Sequence, residues 1–135
     1  MIHYLFDTDA CVYLIRGKTA VVAGHMSQHP HGSLAISTIT LSELRLGVAK
    51  SSDPTREVAV LARFLTPFII LPYDNRAAVS YGPLRAHLES AGTSIGPLDT
   101  LIAAHALSLN LTLITNNQRE FRRVPGLKVE NWTRP

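Results

Sequence analysis

Four acidic residues, Asp7, Asp9, Glu43 and Asp99, stand along the 135-residue chain where carboxylates can work together. Asp7 and Asp9 follow the apolar run Ile2-His3-Tyr4-Leu5-Phe6, where a strand gives way to a helix. That is the edge of a parallel sheet at which α/β proteins usually place ligands. Glu43 comes after a second short apolar run, Leu34-Ala35-Ile36-Ser37, and Asp99 opens a helix ahead of a later one, residues 111–115. Thr115-Asn116-Asn117 follows that last strand. Each acid also has a structural explanation. Asp7 suits a helix N-cap and Asp9 a first helical turn, so for this pair alone both readings stand. Glu43 fits the acidic position of a capping box begun by Thr40, and Asp99 sits two residues after Pro97, where the helix dipole favours a carboxylate. The joint pattern says more. In a right-handed parallel sheet all these ends can converge on one crevice, where three or four carboxylates repel strongly. A divalent cation resolves the repulsion, and hard oxygen donors without histidine or cysteine favour Mg²⁺ or Mn²⁺ over zinc.

The elements that must position these acids follow from periodicity and punctuation. Residues 2–6 read as a strand, 10–15 as a helix ended by Gly17, and 19–26 as a second helix before a polar turn over 28–33. Residues 34–37 read as a strand, and Leu41, Leu44 and Val48 continue the helix that begins at Thr40. Residues 56–65 form a helix stopped by Pro67, and 68–71 a strand buried on both faces. Residues 74–90 form a long helix in which Gly82-Pro83 can place a kink. Pro97 opens the next helix, with an apolar stripe of Leu98, Leu101, Ile102, His105 and Leu109. Strand 111–115, a turn at Asn116-Asn117 and a last strand over 127–130 complete the chain. Apolar strands alternating with helices predict an α/β/α sandwich around a parallel sheet of four or five strands.

Length and composition narrow the class. A chain of 135 residues, 46% hydrophobic and 17% charged, fits one packed domain over 1–135 and excludes disorder. The lone Cys11 excludes an internal disulfide and a cysteine-rich zinc site, reads as a small buried hydrophobe, and suits a reducing cytoplasm. Residues 1–6 carry no basic stretch, so they do not read as a signal peptide, and no apolar run approaches the roughly 20 residues of a membrane span. A net charge of +3 favours a polyanionic partner only mildly. Arg119, Arg122, Arg123 and Lys128 crowd the last fifth of the chain, partly offset by Glu120 and Glu130, and read either as a contact for an RNA backbone or as a solvated basic face. His25, His29 and His31 suggest a metal cluster less well than an exposed turn around Pro30. His105 reads as a hydrogen-bonded core residue, and Trp132 as an anchor for the tail or a surface for a stacked base.

Asp7-Thr8-Asp9, Ser42-Glu43-Leu44, Gly96-Pro97-Leu98-Asp99, and Thr115-Asn116-Asn117 followed by Arg119-Glu120-Phe121 together resemble the PIN domains of the VapC toxins of bacterial toxin–antitoxin pairs. Order and spacing agree from Asp7 to Trp132, and residues 115–132 are similar to the subgroup that cuts initiator tRNA in its anticodon stem-loop. The resemblance implies a PIN-like domain with metal-dependent endoribonuclease activity, in which Asp7, Glu43 and Asp99 hold Mg²⁺ or Mn²⁺. It makes Asp9 an additional acid, at a position where PIN domains often carry an uncharged polar residue. Asn117 stands where many PIN domains place a fourth acid; it would contribute a neutral oxygen or position water, with Thr115 in the same network. The resemblance also implies a homodimer, an antitoxin of VapB type laid along the active-site groove, and a higher toxin–antitoxin assembly. Two other readings remain. A haloacid-dehalogenase-like phosphatase would use Asp7-Thr8-Asp9, but it needs a later acidic pair where Pro97-Leu98-Asp99 supplies one acid, and Cys11 stands where its threonine is expected. A catalytically inactive PIN fold that binds RNA or a partner is opposed by the retention of Asp7, Glu43 and Asp99.

Overall fold

Strand β1 (Tyr4–Phe6) is the middle of a five-stranded, wholly parallel sheet in the computed structural model, which describes residues 1–17 and 20–133. From it the chain runs through α1 (Thr8–Ile15), α2 (Ala20–Ser27), β2 (Leu34–Ser37), α3 (Thr38–Lys50), α4 (Pro54–Leu65) and β3 (Ile69–Leu71) to α5 (Asn75–Ser90). It continues through α6 (Pro97–Ser108), β4 (Thr112–Ile114), α7 (Gln118–Phe121) and β5 (Val129–Glu130). The sheet order is β3-β2-β1-β4-β5. Phe6 is level with Ile36 on one side and with Ile114 on the other, so three strands end nearly level, at Phe6, Ser37 and Ile114.

Alternation along the strands divides the core into two layers. Leu5, Ala35 and Leu113 pack under Leu84 and Leu88 of α5 and Ile102 to Ala106 of α6. Their neighbours Phe6, Ile36 and Ile114 point the other way, against Cys11 and Leu14 of α1, Leu44 of α3 and Leu61 of α4. Helices therefore cover both sheet faces, as the sequence pattern predicts. Trp132, only 3% exposed, meets Tyr4 and Phe6 edge-on and lies parallel to His29, centroids 4.9 Å apart; it anchors the tail. His31 and Pro30 are exposed, whereas His29 is half-buried. Cys11 is a buried free thiol, and His105 is buried with its Nδ1 2.8 Å from the Ser37 hydroxyl. Among the described residues no helix is long and apolar enough to cross a membrane.

Several sequence expectations need correction. Helix α3 starts at Thr38, because Ser37 ends β2 in an extended conformation and its hydroxyl accepts from the Ile39 N–H at 3.1 Å. Thr40 is then an interior, buried residue, and Glu43 belongs to the second turn with no capping role. Strand β3 pairs only with β2, so its edge position leaves Ile69 and Ile70 43% and 39% exposed instead of buried on both faces. On α6, Ile102 and His105 of the expected stripe are buried but Leu98 is exposed, and Ala103, Ala104 and Ala106 are buried as well, so small side chains let that helix sink deeper than the stripe alone implies. α1 begins at Thr8, α5 runs unbroken through Pro83 from its cap at Asp74, and a short helix, α7, follows the turn expected at Asn116-Asn117. The expected start of the second helix at Thr19 lies outside the described residues.

Candidate active site

The acids gather where β1, β2 and β4 end. The Asp7 backbone N–H still belongs to the sheet, donating to the Ile114 carbonyl at 3.0 Å, while its side chain caps α1. Oδ1 accepts from the Ala10 N–H at 2.8 Å, and Oδ2 accepts from the Thr115 hydroxyl at 2.5 Å. The Thr115 oxygen accepts in turn from the Asn117 N–H at 2.9 Å, which fixes the turn after β4 to the carboxylate after β1. The capping role expected of Asp7 is thus present, and it holds the side chain at the crevice. Asp7 is 1% exposed. Burial pushes its pKa up from 3.8 to about 7, with the charges of Asp9 and Asp99 adding to the rise and the hydrogen bonds from Thr115 and Ala10 opposing it.

Asp99, half-buried in the first turn of α6, is raised from 3.8 to about 6, by burial first and then by the charges of Asp9, Glu43 and Glu120. Asp7, Asp9, Glu43 and Asp99 therefore share one field, as their placement at element ends predicts. Glu43 reaches it from α3, its Oε1 accepting from the Thr8 hydroxyl at 2.6 Å; Thr40 Oγ1 lies 3.3 Å from the same hydroxyl. Two members of this group were invisible as such in the sequence. Thr8 carries no obvious role between two aspartates, and Glu120 looks only like an offset to neighbouring arginines. Its position in the helix that follows Thr115 to Asn117 is the one signal pointing to the site.

Among the described residues no three acidic, histidine or cysteine side chains already stand close enough to hold a cation between them. The chemistry of the donor set nevertheless fits one: all oxygen, partly desolvated, with two carboxyls pushed up in pKa by burial and one another's charge. The basic residues stand apart. Arg119 lies on α7, Arg122 ends it, and Arg123 donates from Nη1 to the Ser94 carbonyl at 3.0 Å, tying α7 to the loop ahead of α6. All three are exposed. The Lys128 carbonyl pairs with the Leu113 N–H at 2.8 Å, whereas the Thr115 N–H pairs with Glu130 at the acidic edge. Lys128 is therefore set back along the sheet from the acids.

The sequence pattern of the PIN domain family matches residues 4–127. The chain is 39% identical over 132 residues to the tRNA(fMet)-specific endonuclease VapC of Salmonella typhimurium, covering 98% of this chain and 99% of that protein. It is 41% identical over 133 residues to the protein of the same name from Shigella flexneri, covering 98% and 100%. Among solved structures, DNA-bound VapBC from Salmonella typhimurium superimposes with a TM-score of 0.94 at 39% identity, covering 98% of this chain and 99% of that one. VapBC2 from Rickettsia felis, bound to a DNA fragment from its promoter, does so with a TM-score of 0.92 at 38% identity and the same coverage.

Proposed function

We propose, because this chain belongs to the PIN-domain family, that it is the toxin of a VapBC toxin–antitoxin pair, an endoribonuclease that acts on tRNA, with initiator tRNA as its first candidate substrate. The Salmonella and Shigella relatives are named for that activity, and the similar solved structures are VapBC complexes. The chain would act as one cytoplasmic domain, restrained by a small VapB-type antitoxin and assembled through a homodimer. The single observation that carries the site is Asp7, which is buried beside other acids with its pKa pushed up to about 7. Such a carboxyl at a sheet edge is costly unless something positive is meant to sit there.

Asp7, Glu43 and Asp99 would hold Mg²⁺ or Mn²⁺, with Asp9 as a further acid. Bound there, the ion supplies a Lewis acid that makes water a nucleophile at neutral pH and offsets charge on the phosphate. The chain's own residues do the rest. Thr115 keeps Asp7 in one rotamer through its 2.5 Å hydrogen bond, and Thr8 does the same for Glu43 at 2.6 Å. Asn117 offers a neutral amide to orient water in line with the scissile bond. Arg119, Arg122 and Arg123 hold the RNA backbone beside the acids, with Lys128 extending the basic surface. No side chain needs to become the nucleophile, since Cys11 is wholly buried. The products are a 5′-phosphate and a 3′-hydroxyl.

The test is cleavage of a tRNA panel by the purified protein in EDTA, then with Mg²⁺ or Mn²⁺ restored. Cutting that appears only with the metal and leaves a 5′-phosphate is the expected result. Cutting that persists in EDTA, or leaves a 2′,3′-cyclic phosphate, overturns the metal route. Failure to cut any RNA under either condition overturns the ribonuclease reading.

A further inference from the structure

Next to the acids lies an open pocket of about 400 Å³, within the size range of ligand sites and lined by Asp9, Val12, Tyr13, Arg16, Asn116 and Asn117. One wall is α1. Asp9, Val12, Tyr13 and Arg16 are spaced i, i+3, i+4 and i+7, so they share one face of α1, on which Asp9 and Arg16 are exposed while Val12 and Tyr13 rest partly buried against the core. The other wall is the turn after β4, whose position is fixed by the Thr115 hydroxyl. Asp9 belongs both to this pocket and to the acidic field around Asp99, so the two are continuous.

Besides Asp9 and Asn117, the lining has a chemistry the cleavage step does not use. It sets an aromatic ring beside an aliphatic side chain, the Asn116 carboxamide, which both donates and accepts, and a guanidinium, Arg16, that makes no ion pair among the described residues. An unstacked nucleotide asks for this combination: a ring to stack on its base, an amide for the base edge, and a cation for its phosphate. We propose that this pocket receives the base of one unpaired RNA nucleotide adjoining the phosphate that is cut. Tyr13 stacks on that base, Asn116 hydrogen-bonds its edge, and Arg16 contacts the neighbouring phosphate. A base in a duplex is stacked on its neighbours and unavailable, so the pocket selects loops over stems. This inference rests on the ribonuclease reading, and it names where along the RNA that activity is directed.

The experiment has a binding arm and a cleavage arm. Binding of a short, fluorescently labelled single-stranded RNA is measured in EDTA for the wild type, Tyr13→Leu, Tyr13→Phe and Asn116→Ala. Loss of the ring weakens binding about 10-fold, the size of one base–aromatic stack, whereas Tyr13→Phe keeps the stack and binds nearly as the wild type does. Asn116→Ala weakens binding of RNAs of some base compositions more than others, and blunt duplex RNA binds all four proteins alike. In the cleavage arm, with Mg²⁺ or Mn²⁺, an abasic nucleotide is moved through the loop of a tRNA stem-loop. At one position beside the cut it slows the wild type about 10-fold and slows Tyr13→Leu no further. The proposal is overturned if Tyr13→Leu, shown by thermal unfolding to be folded, binds single-stranded RNA as the wild type does. It is equally overturned if the abasic penalty persists in Tyr13→Leu at every position, or if the wild type does not bind the RNA. Should Tyr13→Leu not fold, the base-dependent loss in Asn116→Ala decides. Binding that depends on Tyr13 in a protein that cuts no RNA would remove the ribonuclease reading and leave the pocket standing.

Discussion

Replacing Asp7 with asparagine should make the protein more stable while abolishing its activity. The folded-state pKa of Asp7 is about 7 against an ordinary 3.8. A carboxyl raised in this way binds more protons folded than unfolded between those values, so its favourable contribution is complete below about pH 4 and is lost as pH rises through 7. At about 1.4 kcal/mol per pH unit, the charged Asp7 costs the fold about 4 kcal/mol at pH 8 as an upper figure. Asparagine removes the charge and keeps the shape. Its Oδ1 can still accept from the Ala10 N–H, and its Nδ2 can donate to the Thr115 oxygen. The Thr115 hydroxyl hydrogen then loses its acceptor, at a cost of about 1 kcal/mol. The remaining gain of about 3 kcal/mol corresponds to a Tm higher by about 9–15 °C in a domain of this size. The assay is thermal unfolding in EDTA at about pH 8 and about pH 5, since at the lower value folded Asp7 is itself protonated and most of the advantage disappears. Mg²⁺ should raise the Tm of the wild type at pH 8 and do much less for Asp7→Asn. A variant no more stable than the wild type at pH 8, or equally stabilised at both pH values, would refute the reasoning.

Thr8→Val removes the hydroxyl that holds Glu43 and leaves the volume unchanged, so turnover on tRNA should fall about 10-fold or more while RNA binding in EDTA is preserved; equal losses in both would mean that Thr8 acts by some other route. Replacing Arg119, Arg122 and Arg123 together with glutamine should weaken RNA binding and flatten its salt dependence by about one phosphate contact per arginine, read from the slope of log affinity against log salt, and an unchanged slope would remove them from the RNA path. Light scattering at micromolar concentration should show a dimer, and a strict monomer would remove the homodimer from the proposal.

Phe6-Asp7 was legible because a buried strand that stops at an N-capping residue announces both its element and its edge. The same logic misplaced the start of α3. Ser37 and Thr40 both offer a capping hydroxyl, and Ser37 prevails because β2 ends on it with extended backbone angles, leaving Thr40 to be buried. The run Phe68 to Leu71 carries no periodicity that separates a central strand from an edge one; that distinction lies in the sheet order, where β3 has one neighbour. Alanines 103, 104 and 106 suit the buried and the exposed face of a helix alike, so the sequence did not show how deeply α6 sinks. Among site residues, Asp7, Asp9, Glu43 and Asp99 could be named because each follows a strand or opens a helix. Thr8 could not, since its partner Glu43 lies 35 positions away and only the docking of α3 on α1 brings them together. Lys128 looked like one of the arginine group until the register of β5 against β4 placed it behind the acidic edge.

The order in which the strands are laid down has a consequence for synthesis. The middle strand of the sheet is the first to leave the ribosome, yet one of its two neighbours, β4, comes from residues 112–114. The hydrogen bond that fastens Asp7 joins residues 108 positions apart. A chain still being translated therefore lacks the segment that closes the crevice until nearly all of the described sequence has emerged, and contacts of such long sequence separation form late. The acidic crevice is thereby among the last parts of the described fold to be assembled, and its carboxylates stay apart until β4 has docked beside β1.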